Sequence, residues 1–194
     1  MQFEIFKFKK VTSTNDVAIR LIKEKKKEIG CIYADEQTKG RGTQGKKWIS
    51  SKGNFYGSFF FPLKNKYPPF SEFTIINPVI ISNVVKNFCD EKKISIRWPN
   101  DVFINKKKFC GILQELITID GKKFLIIGIG INIISNPTIS NKYKATNILR
   151  ETKKKPSVKR IINLLISSYK NFFKDINTYN YTTFKKKAEL MVLN

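Results

Sequence analysis

The chain has 194 residues, a length that suits one domain with a sizeable core, and its 41% hydrophobic content is ordinary for a globular protein. It carries 37 Lys and Arg against 15 Asp and Glu, a formal charge of +22, and no histidine. The missing histidine excludes Ser-His-Asp and Cys-His nucleophile sites and His-based zinc sites, which leaves Lys, Arg, carboxylates, hydroxyls, amides and the backbone to do any chemistry.

Residues 2–8 alternate apolar and polar side chains and read as a strand. Thr12, Ser13, Thr14, Asn15 and Asp16 form a cluster of helix N-cap residues. Val17, Ala18, Leu21 and Ile22 follow at helical spacing, with Gly30 expected to end the helix. Residues 31–34 read as a short buried strand, and residues 37–48 as a loop without apolar periodicity. Residues 54–61 are aromatic-rich and strand-like, and Pro62, Pro68 and Pro69 mark a loop. Residues 71–89 present Phe73, Ile76, Val79, Ile80, Val84 and Phe88 on one helical face. Short strands are expected over 94–98, 102–104, 109–118 and 124–133, with hairpin turns at Asn105-Lys106 and Asp120-Gly121. Residues 158–173 form an amphipathic helix with Ile161, Ile162, Leu165, Tyr169 and Phe172 inward, and residues 181–194 leave room for a further short helix. The expected class is α+β: a single domain over 1–194, with helices packed on a mixed, largely antiparallel sheet.

The loop Gln37-Thr38-Lys39-Gly40-Arg41-Gly42-Thr43-Gln44-Gly45-Lys46-Lys47-Trp48 is the most informative segment. Closely spaced glycines let a backbone approach a ligand and present successive N–H groups to a phosphate or carboxylate. Arg41 adds a fork of donors matched to oxyanions, and Trp48 can stack on a flat ring. Taken alone, the loop reads equally well as a basic surface turn; it matches neither the Walker pattern nor the dinucleotide fingerprint. Arg97-Trp98-Pro99-Asn100-Asp101 lies between two expected strands, so Asn100 and Asp101 are presented at a strand end. Lys108 begins the returning strand and should lie near Trp98 to Val102 across the hairpin. Gly111, and Gly128 and Gly130 in Gly128-Ile129-Gly130-Ile131-Asn132, mark places where something approaches the strand closely. Asn132 offers both a donor and an acceptor there.

Five segments from residue 13 to residue 132 together resemble the biotin protein ligases in order and spacing. They are Ser13-Thr14-Asn15; Gln37 with Gly40-Arg41-Gly42, Gly45 and Trp48; Trp98-Pro99-Asn100-Asp101; Lys108 with Gly111-Ile112-Leu113; and Gly128 to Asn132. The resemblance implies the fold of that family's catalytic domain, shared with class II aminoacyl-tRNA synthetases. It implies ATP-dependent activation of biotin as biotinyl-5′-AMP, with Mg2+ accompanying ATP, and transfer to a lysine of a biotin carboxyl carrier domain of a carboxylase. By the same resemblance, Lys108 bridges biotin carboxylate and α-phosphate, Arg41 with the Gly40 to Gly45 backbone closes over the adenylate, and Asp101 orients the acceptor amine. Ser13, Thr14, Asn15 and Gln37 would contact the biotin ring, with Gly40, Gly42, Thr43 and Gly111 completing the biotin site. Trp48, Asn100 and Asn132 would address the nucleotide. Thr43 stands where the family commonly has a second Arg, so a looser hold on the adenylate is expected.

No residues precede the expected catalytic strand, and the chain stops at Asn194, about where the family's small C-terminal β-barrel would begin. No N-terminal helix-turn-helix domain and no C-terminal β-barrel are therefore expected. Specific DNA binding is not expected either: the cations are mostly Lys spread along the chain, with Arg at Arg20, Arg41, Arg97, Arg150 and Arg160. The N-terminus carries no signal peptide pattern, no apolar run reaches the ~20 residues of a bilayer span, and Cys31, Cys89 and Cys110 lack metal-ligand spacing. A cytoplasmic location is expected, with no membrane partner, and the resemblance allows a homodimer. The rival readings are a lipoate or octanoate ligase of the same general fold, a degenerate homologue that binds biotin without transferring it, and a basic nucleic-acid-binding module.

Overall fold

Seven strands form one sheet in the order β1-β2-β3-β7-β6-β5-β4. They are β1 (Glu4–Val11), β2 (Gly30–Gln37), β3 (Phe55–Pro62), β4 (Ile94–Arg97), β5 (Asp101–Ile104), β6 (Lys107–Ile119) and β7 (Lys122–Ile131). The structure is a computed structural model that describes residues 1–137 and 144–192. β1 and β2 are parallel, and the helix between them supplies the crossover that a parallel pair needs; every other pair is antiparallel. The two hairpins β5–β6 and β6–β7 turn on Asn105-Lys106 and Asp120-Gly121, and all four residues have positive φ, between 49° and 74°. That is the two-residue geometry whose twist suits paired strands. The expected mixed, largely antiparallel sheet is the one observed.

The helices are α1 (Thr14–Lys25), α2 (Phe73–Val85), α3 (Ile148–Thr152), α4 (Val158–Lys174) and α5 (Tyr181–Glu189). Side chains of a strand alternate faces, and here both faces of the sheet centre are covered. Ile32, Phe60, Phe124 and Ile126 pack under Val17, Ala18 and Ile22 of α1. Phe59, Phe61, Leu125 and Ile127 belong to the larger core with α2 and α4. The Phe59-Phe60-Phe61 run is thus fully buried on both sides. No helix among the described residues is long and apolar enough to cross a membrane.

Two expectations need correction, and one helix is additional to them. Helix α1 does not run to Gly30; it stops at Lys25, with Lys26 in the left-handed region (φ 50°). The chain then needs residues 26–29 to come back beside β1, and Gly30 opens β2 where a Cβ would stand 2.6 Å from the Phe60 ring. Helix α2 is not amphipathic over 71–89. It is buried on nearly all sides between sheet and helices and ends at Val85, while Phe88 still packs in the core. Helix α3 was not expected, because five residues carry no readable period. The expected short helix near the C-terminus is present as α5, and residues 193–194 lie outside the described residues.

Candidate active site

The chain reverses at the N-terminus of α1, and this places the cleft on the α1 face of the sheet. Ser13 takes the N-cap position with extended backbone, yet its side chain makes no capping bond. Gln37, at the end of β2, does that job instead: its Oε1 accepts the Thr14 N–H at 2.8 Å. Its Nε2 donates to Ser50 Oγ at 2.9 Å. Ser58, fully buried on β3, sits with its Oγ 2.7 Å from Thr14 Oγ1 and 2.5 Å from Asn15 Oδ1. A Cβ on Gly128 would be 2.5 Å from Asn15 Oδ1, so that glycine makes the space for Asn15. One end of the cleft is therefore a cluster of amides and hydroxyls fixed to one another.

The floor is a strip of paired positions, Asp101 opposite Gly111 and Gly111 opposite Gly130. The space above both glycines holds a side chain of the protein itself. A Cβ on Gly111 would be 2.6 Å from Trp48 Cζ3, and one on Gly130 would be 2.4 Å from Trp48 Cε2. The loop folds back on itself to bring Trp48 there. Trp48 N–H donates to Gly40 C=O at 2.8 Å, Gly42 N–H donates to Lys46 C=O at 2.7 Å, and Thr43–Gly45 form a single 3-10 turn with Gln44 at φ 55°. Gly40 lies beneath this fold, where a Cβ would be 2.4 Å from Trp48 C=O.

The charged centre is Lys108, whose Nζ is 2.7 Å from Asp101 Oδ1 and 5.5 Å from the Trp48 ring centre. The contact is a charge pair without hydrogen-bond geometry, and that oxygen, buried, has no hydrogen-bond partner. The backbone of Lys108 is held as well: its N–H donates to Lys144 C=O at 3.0 Å, and its C=O accepts from Thr146 at 2.8 Å. Trp98 and Pro99 form a cis peptide, with Trp98 64% exposed at the rim. Asn100 C=O accepts from Ile112 at 2.9 Å, and its Nδ2 lies 3.4 Å from Thr43 Oγ1. Asn132 donates through Nδ2 to Thr146 C=O at 3.0 Å. Its Oδ1 and the Trp48 Nε1 are buried without partners. Buried polar atoms are rarely left so, and these two belong to residues that line the cleft.

Arg41 is engaged by carboxylates. Nη1 and Nη2 donate to Glu115 Oε1 and Oε2 at 2.8 and 2.7 Å, and Nη2 is 2.8 Å from Asp16 Oδ1. The hydrogen bonds to Glu115, aided by the charge of Asp16, push the guanidinium further above its ordinary value. Cys31 and Cys110 are fully buried, and burial pushes both thiols far above the ordinary range, which removes them as nucleophiles.

All the residues nominated from sequence line one cleft of about 910 Å³ except Gly40, which supports the loop from below. Sequence reading missed Ser58, Glu115 and Asp16. A lone serine in the aromatic strand Phe55–Pro62 was the available signal for Ser58. Nothing in the sequence pairs Glu115 with Arg41, 74 residues away.

Residues 5–132 match the Biotin/lipoate A/B protein ligase family. The chain is 33% identical over 125 residues to the bifunctional ligase/repressor BirA of Escherichia coli, covering 63% of this chain and 38% of that protein. It is 28% identical over 181 residues to BirA of Bacillus subtilis, covering 90% and 55%. It therefore spans about half or less of the length of these two relatives. Its fold matches the biotin protein ligase of Leishmania major in complex with biotinyl-5-AMP with a TM-score of 0.82, at 26% identity over 100% of this chain and 83% of that one. It matches the Aquifex aeolicus biotin protein ligase in complex with biotin and ATP with a TM-score of 0.77, at 29% identity over 98% and 78%. With the match extending over most of the sheet and all five sequence segments, the chain belongs to the Biotin/lipoate A/B protein ligase family.

Proposed function

We propose that this protein is an ATP-dependent biotin ligase that forms biotinyl-5′-AMP and passes the biotinyl group to a lysine of a carboxyl carrier domain. The observation that carries the reading is the Lys108–Asp101 pair at the centre of a cleft with amide and hydroxyl groups fixed at one end and unpartnered Asn132 Oδ1 and Trp48 Nε1 beside it. The solved relatives with biotin and ATP, and with biotinyl-5-AMP, support it.

In the first step a carboxylate oxygen of biotin attacks the α-phosphorus of ATP, and the bond to pyrophosphate breaks. Two anions must approach each other, so the protein's contribution is positioning and neutralisation. The Lys108 ammonium supplies the positive charge between them, leaving Asp101 for the incoming oxyanions. In the second step a neutral lysine amine of the acceptor attacks the acyl carbon, and AMP leaves as the anhydride C–O bond breaks. The amine must shed a proton first, from a reference pKa of about 10.4. Asp101, released from Lys108, orients that ammonium and helps it lose the proton. Magnesium enters as the companion of ATP. Among the described residues no three metal-ligating side chains cluster, and Asp101 is the one carboxylate lining the cleft, a set that fits an ion held largely by phosphates.

The polar end of the cleft favours biotin over lipoate or octanoate. A ureido ring has donors and acceptors to offer Ser13, Thr14, Asn15 and Gln37, which line that end, whereas a dithiolane or an alkyl end would cover them without making a hydrogen bond. The carrier domain as acceptor, the cytoplasmic location, the lack of specific DNA binding and a homodimer in solution remain parts of the same proposal.

The test is exchange of labelled pyrophosphate into ATP by the purified protein. Exchange should require biotin, fail with lipoate or octanoate, and fall by at least about 10³-fold in Lys108→Ala. Exchange at the normal rate in Lys108→Ala would overturn the assignment, and exchange driven by lipoate would move the protein to the other branch of its family.

A further inference from the structure

Glu115 lies on β6 on the same face as Gly111 and Leu113, opposite Ile126, yet it stands behind the cleft and does not line it. Its two carboxylate oxygens accept three hydrogen bonds from two separate elements. Arg41 of the glycine loop donates to both oxygens, and Asn15, in the first turn of α1, donates Nδ2 to Oε2 at 2.7 Å. Asn15 is also fixed to Ser58 and reaches Leu113 C=O at 3.4 Å, so it belongs to the polar end of the cleft. Asp16, the next residue of α1, takes a further contact from Arg41. The guanidinium thus spends two N–H donors on Glu115 and, with Asp16 beside it, is flanked by two negative charges. A cation so neutralised is a poor source of net charge for a phosphate, and its planar fork is well suited to fixing geometry.

We infer that Glu115 is a positioning residue that couples the ring-binding end of the cleft to the glycine loop. The link runs from Asn15 through the Glu115 carboxylate to Arg41 and so to Gly40 and Gly42. Occupancy of the Asn15 end steadies Asn15, which holds the Glu115 carboxylate in the orientation that grips Arg41. The loop then keeps the fold that lays Trp48 on Gly111 and Gly130. Arg41 acts as the strut of this linkage, and the positive charge facing the reacting oxyanions is that of Lys108. The coupling rests on the reading of the cleft as a biotin and adenylate site, but its signature is visible in the loop without any turnover.

The experiment is hydrogen exchange of the amides of residues 39–48, with and without biotin, in the wild type and in Glu115→Gln, alongside the biotin dissociation constant from calorimetry. Wild-type loop amides should be slowed by biotin. In Glu115→Gln they should exchange faster without ligand and gain little protection on adding it. Biotin affinity should fall about fivefold to tenfold, a modest effect because Arg41 and Glu115 are partly exposed. A residue that only stabilised the fold would lower the melting temperature and raise exchange throughout the sheet. Glu115→Asp, which keeps the charge and shortens the reach, should lie between the two and serves if Glu115→Gln fails to fold. Loop exchange and biotin protection unchanged in Glu115→Gln would overturn the inference. A wild type that binds no biotin would overturn the functional reading instead, and faster ligand-free loop exchange in Glu115→Gln would still establish the strut.

Discussion

At the scale of single residues, the two steps of the proposed reaction call on different partners of one ion pair. Lys108 works where charge is crowded, in adenylate formation; Asp101 works where an ammonium must be oriented, in transfer. In Asp101→Asn, transfer from preformed adenylate should slow by about 10²-fold, while pyrophosphate exchange stays within about tenfold of the wild type. Single-turnover transfer set beside exchange measures both, and an equal loss in the two would remove the division of labour. The pair was legible in the sequence because it lies within one hairpin: Lys108 sits seven positions after Asp101 and pairs with Phe103. Arg41 shows what a sequence withholds. Its neighbours in the chain mark a ligand-binding loop, but its two carboxylate partners come from α1 and β6, and only the folded chain brings them together.

At the scale of elements, the chain beyond β7 is anchored to the hairpin that carries Lys108, and Glu151 of α3 is the anchor. It accepts from Asn105 Nδ2 at 2.7 Å, Lys107 Nζ at 3.0 Å and Thr146 Oγ1 at 2.6 Å. Burial alone would push its carboxyl up, but the hydrogen bonds from Asn105, Thr146 and Lys107 outweigh it and hold the group at about 2, below the ordinary 4.5. The folded state thus binds fewer protons here than the unfolded chain, and the stability is present above pH 4.5 and lost as pH falls toward 2. Glu151→Gln should therefore melt below the wild type at pH 6, and calorimetry should show the gap closing between pH 4.5 and 2; a gap constant with pH would deny Glu151 this part. Helix α3 and its anchor were invisible in the sequence because a five-residue helix gives no period to read. The strands were visible, since alternation and two positive-φ turns fix a hairpin locally. Helix α2 was visible as a helix but not as a buried one, because the face away from the sheet is covered by α4 and α5, a matter of tertiary packing.

At the scale of the whole molecule, the charge of +22 is distributed rather than focused. Lysines that bear it are exposed along β1, α4 and α5, on several sides of the fold. Such a surface attracts polyanions without reading sequence. Binding to duplex DNA should be weak, indifferent to sequence and to biotin, and gone by about 0.3 M salt. A fluorescence titration checks this, and a biotin-dependent preference for one sequence would contradict it. The sheet class, and the gathering of the nominated residues in one cleft, were readable at this scale because five segments kept their order along the chain, and a shared fold turns order into proximity.

The hold on Lys108 has a thermodynamic consequence. A free lysine side chain keeps up to about 2 kcal/mol of rotamer freedom, and a group that must be frozen when substrate arrives subtracts that from binding. Here Asp101 at 2.7 Å and the Trp48 ring at 5.5 Å already confine the ammonium, and its backbone is bonded on both sides. The entropy is surrendered during folding, before either substrate is present. Biotin and the nucleotide then meet an ammonium already in place and need only draw it away from Asp101.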